Sequence, residues 1–263
     1  MKLSVKGFIT HKDGEAYDDC ADRMAFDVRP AALRAAIADG VSCGSFLQAQ
    51  WAQYLTEGFV SQADEITSVP LDVCRQRWQE TATAFANSPD AHWMTKHMFQ
   101  RHIPGAATLV SLVVSAKHKL WFAESLGDSC MFFVPQGTEY DHSKWIVFAP
   151  DSFDNYPNYY ASYEGMDKGL PVYEMGNLEQ GRFYIMTDAL SEWLCRQKED
   201  AIAIINNWEN QDMFEASITQ LRNEGILHND DSTILIISIE DDGEELFTCN
   251  NEDKIFTDIN KLI

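Results

Sequence analysis

The chain of 263 residues carries 20 Lys and Arg against 41 Asp and Glu, a formal net charge of −21. A surface of that sign repels nucleic acid and anionic membranes, so we expect neither as a partner. No apolar run reaches the length of about 18 residues that spans a bilayer, and the first residues, MKLSVKGFIT, lack the apolar centre of a signal peptide. We therefore expect a cytoplasmic protein, and its 45% hydrophobic content is that of an ordinary globular domain.

The six cysteines are scattered along the chain without a Cys-x-x-Cys pair. Disulfide and metal-thiolate frameworks usually show tight spacings, so we expect reduced, structural thiols. Cys43 lies close to Asp39 in sequence, but no histidine spacing supports a nucleophile there, and we assign it no role.

The first part of the chain alternates apolar and polar residues and then changes to a helical period. The pattern predicts strands over Leu3 to Thr10, Arg23 to Val28 and Leu33 to Asp39, and helices from about Ser45 to Phe59 and Asp72 to Phe85.

From Gly105 onward, short segments rich in Val, Phe and Trp predict a β-sheet. Strands are expected over Ala107 to Ser115, Leu120 to Glu124, Ser129 to Val134, Trp145 to Phe148, Pro171 to Tyr173, Arg182 to Thr187 and Thr233 to Ile239, with helices over Leu190 to Cys195 and Gln211 to Glu224. The turns between successive strands are short, which favours antiparallel pairing and an α+β fold.

The segment Asp151 to Gly169 is rich in Tyr and Asn and shows no clear period. It is either a partly packed surface excursion or a lid beside a functional site, and the sequence does not separate the two.

The run LRAAIADG delivers a carboxylate, Asp39, to the end of an apolar strand and follows it with Gly40. Asp and Gly form turns readily, so this junction could be a plain turn. It could also present a ligand for a metal or a phosphate at the edge of a sheet.

Three other places in the chain repeat this arrangement. Asp188 follows the apolar strand FYIMT, Asp230 and Asp231 precede TILIISI, and Asp18 and Asp19 lie on the loop after the first strand. Carboxylates that converge from distant strand ends repel one another unless a divalent cation lies among them. Ligand sets made only of oxygen select Mg²⁺ or Mn²⁺ over zinc.

These residues resemble, in order, the motifs of the metal-dependent Ser/Thr protein phosphatase family of type 2C. The matching motifs are Asp18-Asp19, Asp39-Gly40, Gly105 to Thr108, Gly127-Asp128-Ser129, Asp188 in MTDALSEW, and Asp231-Ser232. The first loop, Gly7 to His11, and the sequence ADGVSCGSFLQAQWA are similar to a divergent bacterial branch of that family.

The resemblance implies a four-layer α-β-β-α sandwich, in which two antiparallel sheets are flanked by helices. We expect residues 1–240 to form this type 2C phosphatase-like domain and residues 241–263 to be an acidic C-terminal extension packed on it or trailing from it.

The resemblance also implies two Mg²⁺ or Mn²⁺ ions held at the edges of the sheets. By this likeness Asp39 bridges both ions, Asp188 and Asp231 hold one, and Asp18 and the Gly40 carbonyl hold the other.

Three further residues complete the implied set. Asp19 acts through water, and Asp128 with Glu192 matches a weaker third metal site of the family. A water shared by two cations loses proton affinity and attacks the phosphoryl group in line.

The chain departs from the family pattern in two ways that concern catalysis. The arginine that often grips the substrate phosphate is absent, and the nearby residues are His11 and Lys12, so we include both with Asp39 as candidate catalytic residues. Val41 stands where some members carry a general-acid histidine, which leaves protonation of the leaving group to water.

The resulting hypothesis is metal-dependent hydrolysis of phosphoserine or phosphothreonine in proteins, with the targets of a cognate kinase as substrates. The alternative is a pseudophosphatase, a regulatory module that binds a partner through the same fold. A nuclease built from similar carboxylates fits poorly with the net charge of −21.

Overall fold

Two β-sheets stacked face to face form the centre of the fold, and helices cover the outer face of each. The computed structural model describes residues 1–42, 44–63, 65–150, 153 and 156–262. It confirms the predicted α+β class and the α-β-β-α layering.

Each predicted strand is present, one of them divided, and two short strands, Tyr160–Ala161 and Lys254–Phe256, are not predicted by the sequence pattern. The strand expected over Ala107 to Ser115 is split at Thr108, whose backbone N–H bonds the Asp39 carbonyl at 2.9 Å instead of continuing the ladder. In chain order the strands are β1 (Lys2–Thr10), β2 (Arg23–Val28), β3 (Ala32–Ala38), β4 (Ala106–Ala107), β5 (Leu109–Ser115), β6 (Leu120–Leu126), β7 (Cys130–Pro135), β8 (Ile146–Phe148), β9 (Tyr160–Ala161), β10 (Val172–Asn177), β11 (Gly181–Met186), β12 (Ser232–Glu240) and β13 (Lys254–Phe256).

The helices group into two sets, one for each sheet. They are α1 (Gln48–Val60), α2 (Leu71–Asn87), α3 (Trp93–Gln100), α4 (Asp188–Gln197), α5 (Glu199–Ile205) and α6 (Gln211–Asn223). Neither α3 nor α5 is predicted by the sequence pattern. Both are short, and α5 starts directly after α4 ends, so their apolar periods are too brief to stand out.

The strand orders are β13-β1-β12-β11-β7-β8 in one sheet and β10-β6-β5-β3-β2 in the other. Neighbouring strands are antiparallel except β13, which lies parallel to β1. The C-terminal extension of the sequence therefore contributes an edge strand, while its separation from residues 1–240 as a unit stays a prediction.

Strand β3 shows how the layers are packed. All seven of its residues are buried. Leu33, Ala35 and Ile37 lie in the core between the sheets, and Ala36 and Ala38 face the cluster under α1 and α2. A central strand that is apolar on both faces is fixed in place, so the residue at its end, Asp39, has a defined position.

Within the part of the chain that is described, no helix has both the length and the apolar character needed to cross a membrane.

Candidate active site

A cavity of about 190 Å³ collects carboxyl groups from separate parts of the chain at one end of the sandwich. Its described lining consists of Ala21, Asp39, Gly40, Val41, Ser42, Asp128, Pro157, Asp188, Asp230 and Asp231. A larger cavity of about 380 Å³ lies between β2, α1 and the C-terminal segment, but it contains only two carboxylates, Glu57 and Asp258. A cavity of about 640 Å³ near Met1 has four carboxylates in its lining, but all four are exposed, so the smaller cavity is the one that combines five carboxylates with burial of some of them.

Asp39 is held at the cavity by its backbone. The Asp39 N–H donates to Thr108 Oγ1 at 3.3 Å, and the Asp39 carbonyl accepts from the Thr108 N–H. Thr108 Oγ1 also shares a hydrogen bond of 2.8 Å with Ser129 Oγ. These bonds tie the end of β3 to the turn that carries Asp128.

Gly40 is required by close approach. A Cβ atom at this position would lie 3.0 Å from the Cβ of Ala21 and 3.1 Å from the Ala21 carbonyl oxygen. The absence of a side chain lets the segment after β3 pack against the segment before β2, and both segments line the cavity.

Asp128 and Asp188 reach the cavity from opposite sheets. Asp128 is 5% exposed and follows Gly127, whose φ of +114° forms the turn after β6. Asp188 is the first residue of α4, directly after β11 and Thr187, and its Oδ1 accepts from the Ala189 N–H at 2.6 Å. The structure places Asp188 at the end of β11, where the strand pattern predicts it, and places Asp128, which only the family resemblance indicates, in the same cavity lining.

Asp231 fastens three segments together. Its Oδ1 accepts from the Lys12 N–H at 3.0 Å, and its Oδ2 accepts from the Ala21 N–H at 2.8 Å. Asp230, which precedes it, is about half exposed at 52% and also lines the cavity.

The structure corrects the placement of the first-loop pair. Asp18 and Asp19 lie in an exposed 3₁₀ turn, Tyr17–Asp19, where Asp19 Oδ2 accepts from the Ala16 N–H at 3.3 Å. Neither residue lines the cavity. Their side chains are exposed because this short turn has no buried residue to hold it against the core.

Asp22 is buried behind the cavity rather than in its described lining, and its charge contributes, after burial, to the raised pKa of Asp39. It is 0% exposed and its Oδ2 accepts from Thr187 Oγ1 at 3.0 Å. Its Oδ1 has no hydrogen-bond partner among the described residues. A signal for it exists in the sequence, because Asp22 directly precedes the predicted strand Arg23 to Val28 just as Asp231 precedes the last strand.

The carboxyl groups of the cavity raise one another's pKa values. Burial, followed by the charge of Asp231, raises the pKa of Asp22 well above its ordinary value. Burial and then Asp22 and Asp188 do the same to the pKa of Asp39. Burial together with Asp128 and Asp230 raises the pKa of Asp188 to about 7. Ionising the whole cluster near neutral pH therefore requires added positive charge.

The cluster fits a hard divalent cation in its chemistry. Every candidate ligand is an oxygen, which suits Mg²⁺ or Mn²⁺, and the Asp22 Oδ1 is a buried acceptor still to be satisfied. As placed, no three His, Cys, Asp or Glu side chains in the described part of the chain are grouped closely enough to hold a metal ion. A bound cation would have to draw the carboxylates closer together.

Lys12 and His11 lie beside the cavity, outside its lining. The Lys12 Nζ is 3.9 Å from Asp230 and 3.5 Å from Glu15. Burial lowers the pKa of Lys12, but Asp230, Glu15 and Asp231 together raise it above its ordinary value. The His11 Nδ1 is 2.9 Å from the Lys12 carbonyl, and its ring packs edge-on against Tyr17. No Lys, Arg or His is among the described lining residues.

Glu192 lies one turn beyond Asp188 on α4, where it pairs with Arg196 and with His228, the latter at 3.2 Å. It does not line the cavity. Its charge contributes to the raised pKa of Asp188, after burial and the nearer aspartates.

The segment predicted as a lid or a surface excursion is firmly attached where it is described. Tyr160 O accepts from Trp51 Nε1 at 2.7 Å, and Arg75 pairs with Asp167 at 2.8 Å. Pro157 lines the acidic cavity. Residues 151, 152, 154 and 155, like Cys43 after the Asp39 turn, lie outside the described residues.

No protein-family model and no curated protein sequence matches this chain. Solved structures do match its fold. RsbX in complex with magnesium is 15% identical, with a TM-score of 0.52, over 90% of this chain and 96% of that one. The serine/threonine phosphatase of S. agalactiae is 12% identical, with a TM-score of 0.57, over 90% and 100%. A bacterial serine phosphatase is 12% identical, with a TM-score of 0.53, over 92% and 100%. The chain therefore has the fold of the bacterial serine phosphatases of type 2C.

Proposed function

We propose that this protein is a Mg²⁺- or Mn²⁺-dependent phosphatase that hydrolyses phosphoserine or phosphothreonine in proteins. The observation that carries the proposal is the collection of Asp39, Asp128, Asp188, Asp230 and Asp231 in one cavity, within a fold shared with serine phosphatases. A core stability role alone would not explain so much like charge in one place, because each pair of carboxylates repels.

Two ions would be held by residues that already face each other across the sheet edges. Asp39 would be shared by both ions, Asp188 and Asp231 would hold one, and Asp22 with the Gly40 carbonyl would hold the other. Asp22 takes the place given to Asp18 because it is buried with an unsatisfied oxygen. When bound, the ions would lower the pKa of a water and balance charge on the phosphoryl oxygens.

A third, weaker cation would bind near Asp128. Glu192, predicted as its second ligand, is engaged by Arg196 and His228, whereas Asp230 is half exposed and lines the same cavity. We therefore propose Asp128 with Asp230 for this ion, and Glu192 as a group that would have to leave its partners first.

The residues of the chain would bind and orient the phosphate with little positive charge of their own. Lys12 is the nearest described ammonium group, in contact with Asp230, and it would attract the phosphate as a point charge. His11 is turned toward Tyr17 and the Lys12 carbonyl, so we propose that it supports the loop. Val41 lines the cavity and cannot donate a proton, so water would protonate the leaving oxygen.

The substrate would be a phosphorylated protein, and the kinase that phosphorylates it would define the pathway.

The direct test measures release of phosphate from a phosphoserine peptide and from an aryl phosphate, with and without Mn²⁺. We expect turnover only with the metal and a loss of turnover in Asp39→Asn. Asp90→Asn, which changes an exposed carboxylate remote from the cavity lining, serves as the matched control. Absence of turnover from both substrates with Mn²⁺ would contradict the proposal.

A second candidate is a pseudophosphatase, a regulatory module that binds a partner protein through the same fold without hydrolysing a phosphate. The lack of a basic residue in the described cavity lining favours it, because a phosphate needs a positive partner. Calorimetric titration with Mn²⁺ separates the two: heat that is lost in Asp39→Asn supports the enzyme, and no heat in the unsubstituted protein supports the pseudophosphatase.

A further inference from the structure

Strand β10 is an edge strand with apolar side chains open to solvent on both faces. It ends its sheet and pairs only with β6 in the described part of the chain. Five of its six residues are exposed, including Val172 at 56%, Tyr173 at 51% and Met175 at 61%. Unpaired backbone groups beside exposed apolar side chains form a template for another extended segment.

The opposite edge of the same sheet is protected. Strand β2 has no exposed residue, and α1 packs over it. Exposed edges are usually blunted by lysine, proline or a bulge, yet β10 reads VYEMGN and contains neither lysine nor proline. Within its own sheet the open edge is therefore that of β10, and it exposes more apolar side chains than the edge strands β8 and β13 of the other sheet, which expose Val147 and Phe256.

A cavity of about 340 Å³ with a mixed polar and apolar lining lies at the start of β10. Its apolar lining includes Leu126, Phe148, Leu170 and Val172, and Leu170 is 83% exposed. A cavity of this volume has room for a large aliphatic or aromatic side chain.

The cavity at the start of β10 adjoins the acidic cavity at two pairs of successive residues. Gly127 lines the first cavity and Asp128 lines the acidic one; likewise, Asn158 lines the first and Pro157 the acidic one. The two cavities lie on opposite sides of a close contact, because a Cβ atom at Gly127 would be 2.8 Å from the Asn158 carbonyl oxygen.

The register of β10 fixes how far a bound segment would have to reach. Val172 pairs with Ser125, three residues before Asp128 in the sequence. At about 3.3 Å per residue along the strand and about 4.8 Å between strands, a segment added outside β10 would reach the acidic cavity in about three to five residues.

A second copy of this chain is a poor occupant of the edge. The net charge of −21 opposes self-association. Antiparallel pairing of two β10 strands in the register centred on Glu174 would also place Glu174 opposite its own copy, and like charges across a ladder are destabilising. Charge favours a segment with basic residues, and the exposed side chains favour alternate apolar ones.

We infer that β10 and the cavity at its start bind an extended, basic and apolar segment of the phosphoprotein substrate, about three to five residues from its phosphoserine. This inference rests on the proposed phosphatase function and assigns its substrate specificity. The segment adds a strand outside β10, and one of its apolar side chains fills the cavity beside Leu170 and Val172.

The test compares Val172→Lys/Met175→Lys with Val73→Lys/Met94→Lys. The control pair adds the same charge at exposed apolar positions of α2 and α3, where Val73 is 57% and Met94 is 43% exposed. The probes are a phosphoserine peptide with Leu, Val and Lys about four residues from the phosphoserine, the same peptide with Leu and Val replaced by Ser, and an aryl phosphate. All variants are checked by circular dichroism and thermal melting.

We expect the β10 double variant to raise KM for the apolar peptide at least tenfold with kcat unchanged. Turnover of the aryl phosphate and of the Ser-substituted peptide should stay within twofold, and the control variant should match the unsubstituted protein. Equal affinity for the two peptides in the unsubstituted protein, or equal effects of the two double variants, would overturn the inference. A dimer that the β10 substitutions dissociate in analytical ultracentrifugation would overturn it in favour of a second copy.

Failure of the inference can be distinguished from failure of the proposed function. Binding of fluorescent forms of the two peptides is measured by anisotropy, which requires no turnover. Tighter binding of the apolar peptide, lost in the β10 variant, supports docking even if no substrate is cleaved. Cleavage of the aryl phosphate without a preference between the peptides would contradict docking at β10 and would still support the proposed phosphatase activity.

Discussion

Two buried acidic regions of this molecule differ in how their carboxyl oxygens are satisfied. Glu124 on β6 is 1% exposed. Its Oε1 accepts from the Tyr160 hydroxyl, and its Oε2 accepts from the Val69 N–H at 3.3 Å. Asp22 is 0% exposed but has one oxygen without a described partner and faces other carboxyl groups.

The difference separates a structural acid from a functional one. Glu124 holds β6 to Tyr160 and to the residue before α2, and each of its oxygens has a neutral donor. The Asp22 group lies among like charges, which costs stability unless a cation is present. Burial of an acid alone therefore does not indicate an active site, whereas burial among other acids does.

The largest expected effect tests which first-loop aspartate belongs to the cavity. We expect Asp22→Asn to lower kcat/KM on an aryl phosphate by on the order of 10²- to 10³-fold, the loss typical of removing one electrostatic contact to a reacting centre. Asp18→Asn should change it less than twofold, because that side chain is exposed, whereas Asp22 is buried and its charge acts on Asp39. Steady-state kinetics across Mn²⁺ concentrations check this. Equal losses in both variants would restore the sequence-based assignment.

The second prediction is that substituting the buried acid changes the free energy of unfolding in opposite directions in the two regions. Glu124→Ala leaves the Tyr160 hydroxyl and the Val69 N–H without their acceptor, so we expect a loss of about 2–3 kcal/mol in unfolding free energy. Asp22→Asn removes a charge from the acidic cluster and should stabilise the metal-free protein at pH 7. Urea unfolding in the presence of a chelator measures both. A loss of stability in both variants would show that the cluster is satisfied without metal.

Sequence patterns could predict the positions of Asp39, Asp188 and Asp231 because each follows or precedes a strand whose apolar alternation is clear. The α+β class follows from the same patterns, since short turns favour antiparallel neighbours, whereas the four-layer arrangement is implied by the resemblance to the type 2C phosphatases. The predictions from the strand patterns depend only on residues that are neighbours in the sequence. Packing of the strands into two sheets therefore does not change them.

Sequence patterns could not choose Asp22 over Asp18 and Asp19. The choice depends on contacts between distant residues: Thr187 donates to Asp22 across 165 positions, and Ala21 donates to Asp231 across 210. Strand β10 shows the same limit of prediction from sequence. Its start was predicted at Pro171 to Tyr173, but exposure of both its faces depends on what packs beside it.

The third prediction is a pH dependence of the metal-free protein. The pKa of Asp188 is raised from 3.8 to about 7 by burial and by Asp128, so the folded state holds a proton that the unfolded state has lost. The stabilisation is complete below pH 3.8 and disappears as pH rises through about 7, with a slope of at most about 1.4 kcal/mol per pH unit for one proton. Asp22 and Asp39 act in the same direction.

Unfolding by urea between pH 5 and 8 with a chelator tests this dependence, and Asp188→Asn should flatten it. Saturating Mn²⁺ should reverse the trend, because the metal binds the ionised carboxylates of the folded state. Stability that is independent of pH in the chelated protein would mean that the carboxyl groups are paired as Glu124 is, and the contrast between the two regions would be lost.

The smallest expected effect concerns Lys12, whose ammonium group contacts the Asp230 carboxylate at the rim of the acidic cavity, whereas the buried Arg222 guanidinium is bound to the Asp230 carbonyl oxygen. Lys12 is 30% exposed and lies 3.9 Å from Asp230, so its attraction for a phosphate is screened by solvent and shared with that carboxylate. We expect Lys12→Met to raise KM about threefold to fivefold with kcat unchanged, since a partly exposed charge contributes about 1 kcal/mol or less. Lys12→Arg should keep or lower KM, because a guanidinium binds phosphate through two parallel hydrogen bonds.

Lys96→Met, at an exposed position of α3, is the control for loss of one positive charge. A fall in kcat rather than a rise in KM would indicate that Lys12 acts through its backbone bond to Asp231, on the metal-binding side of the cavity rather than on the substrate.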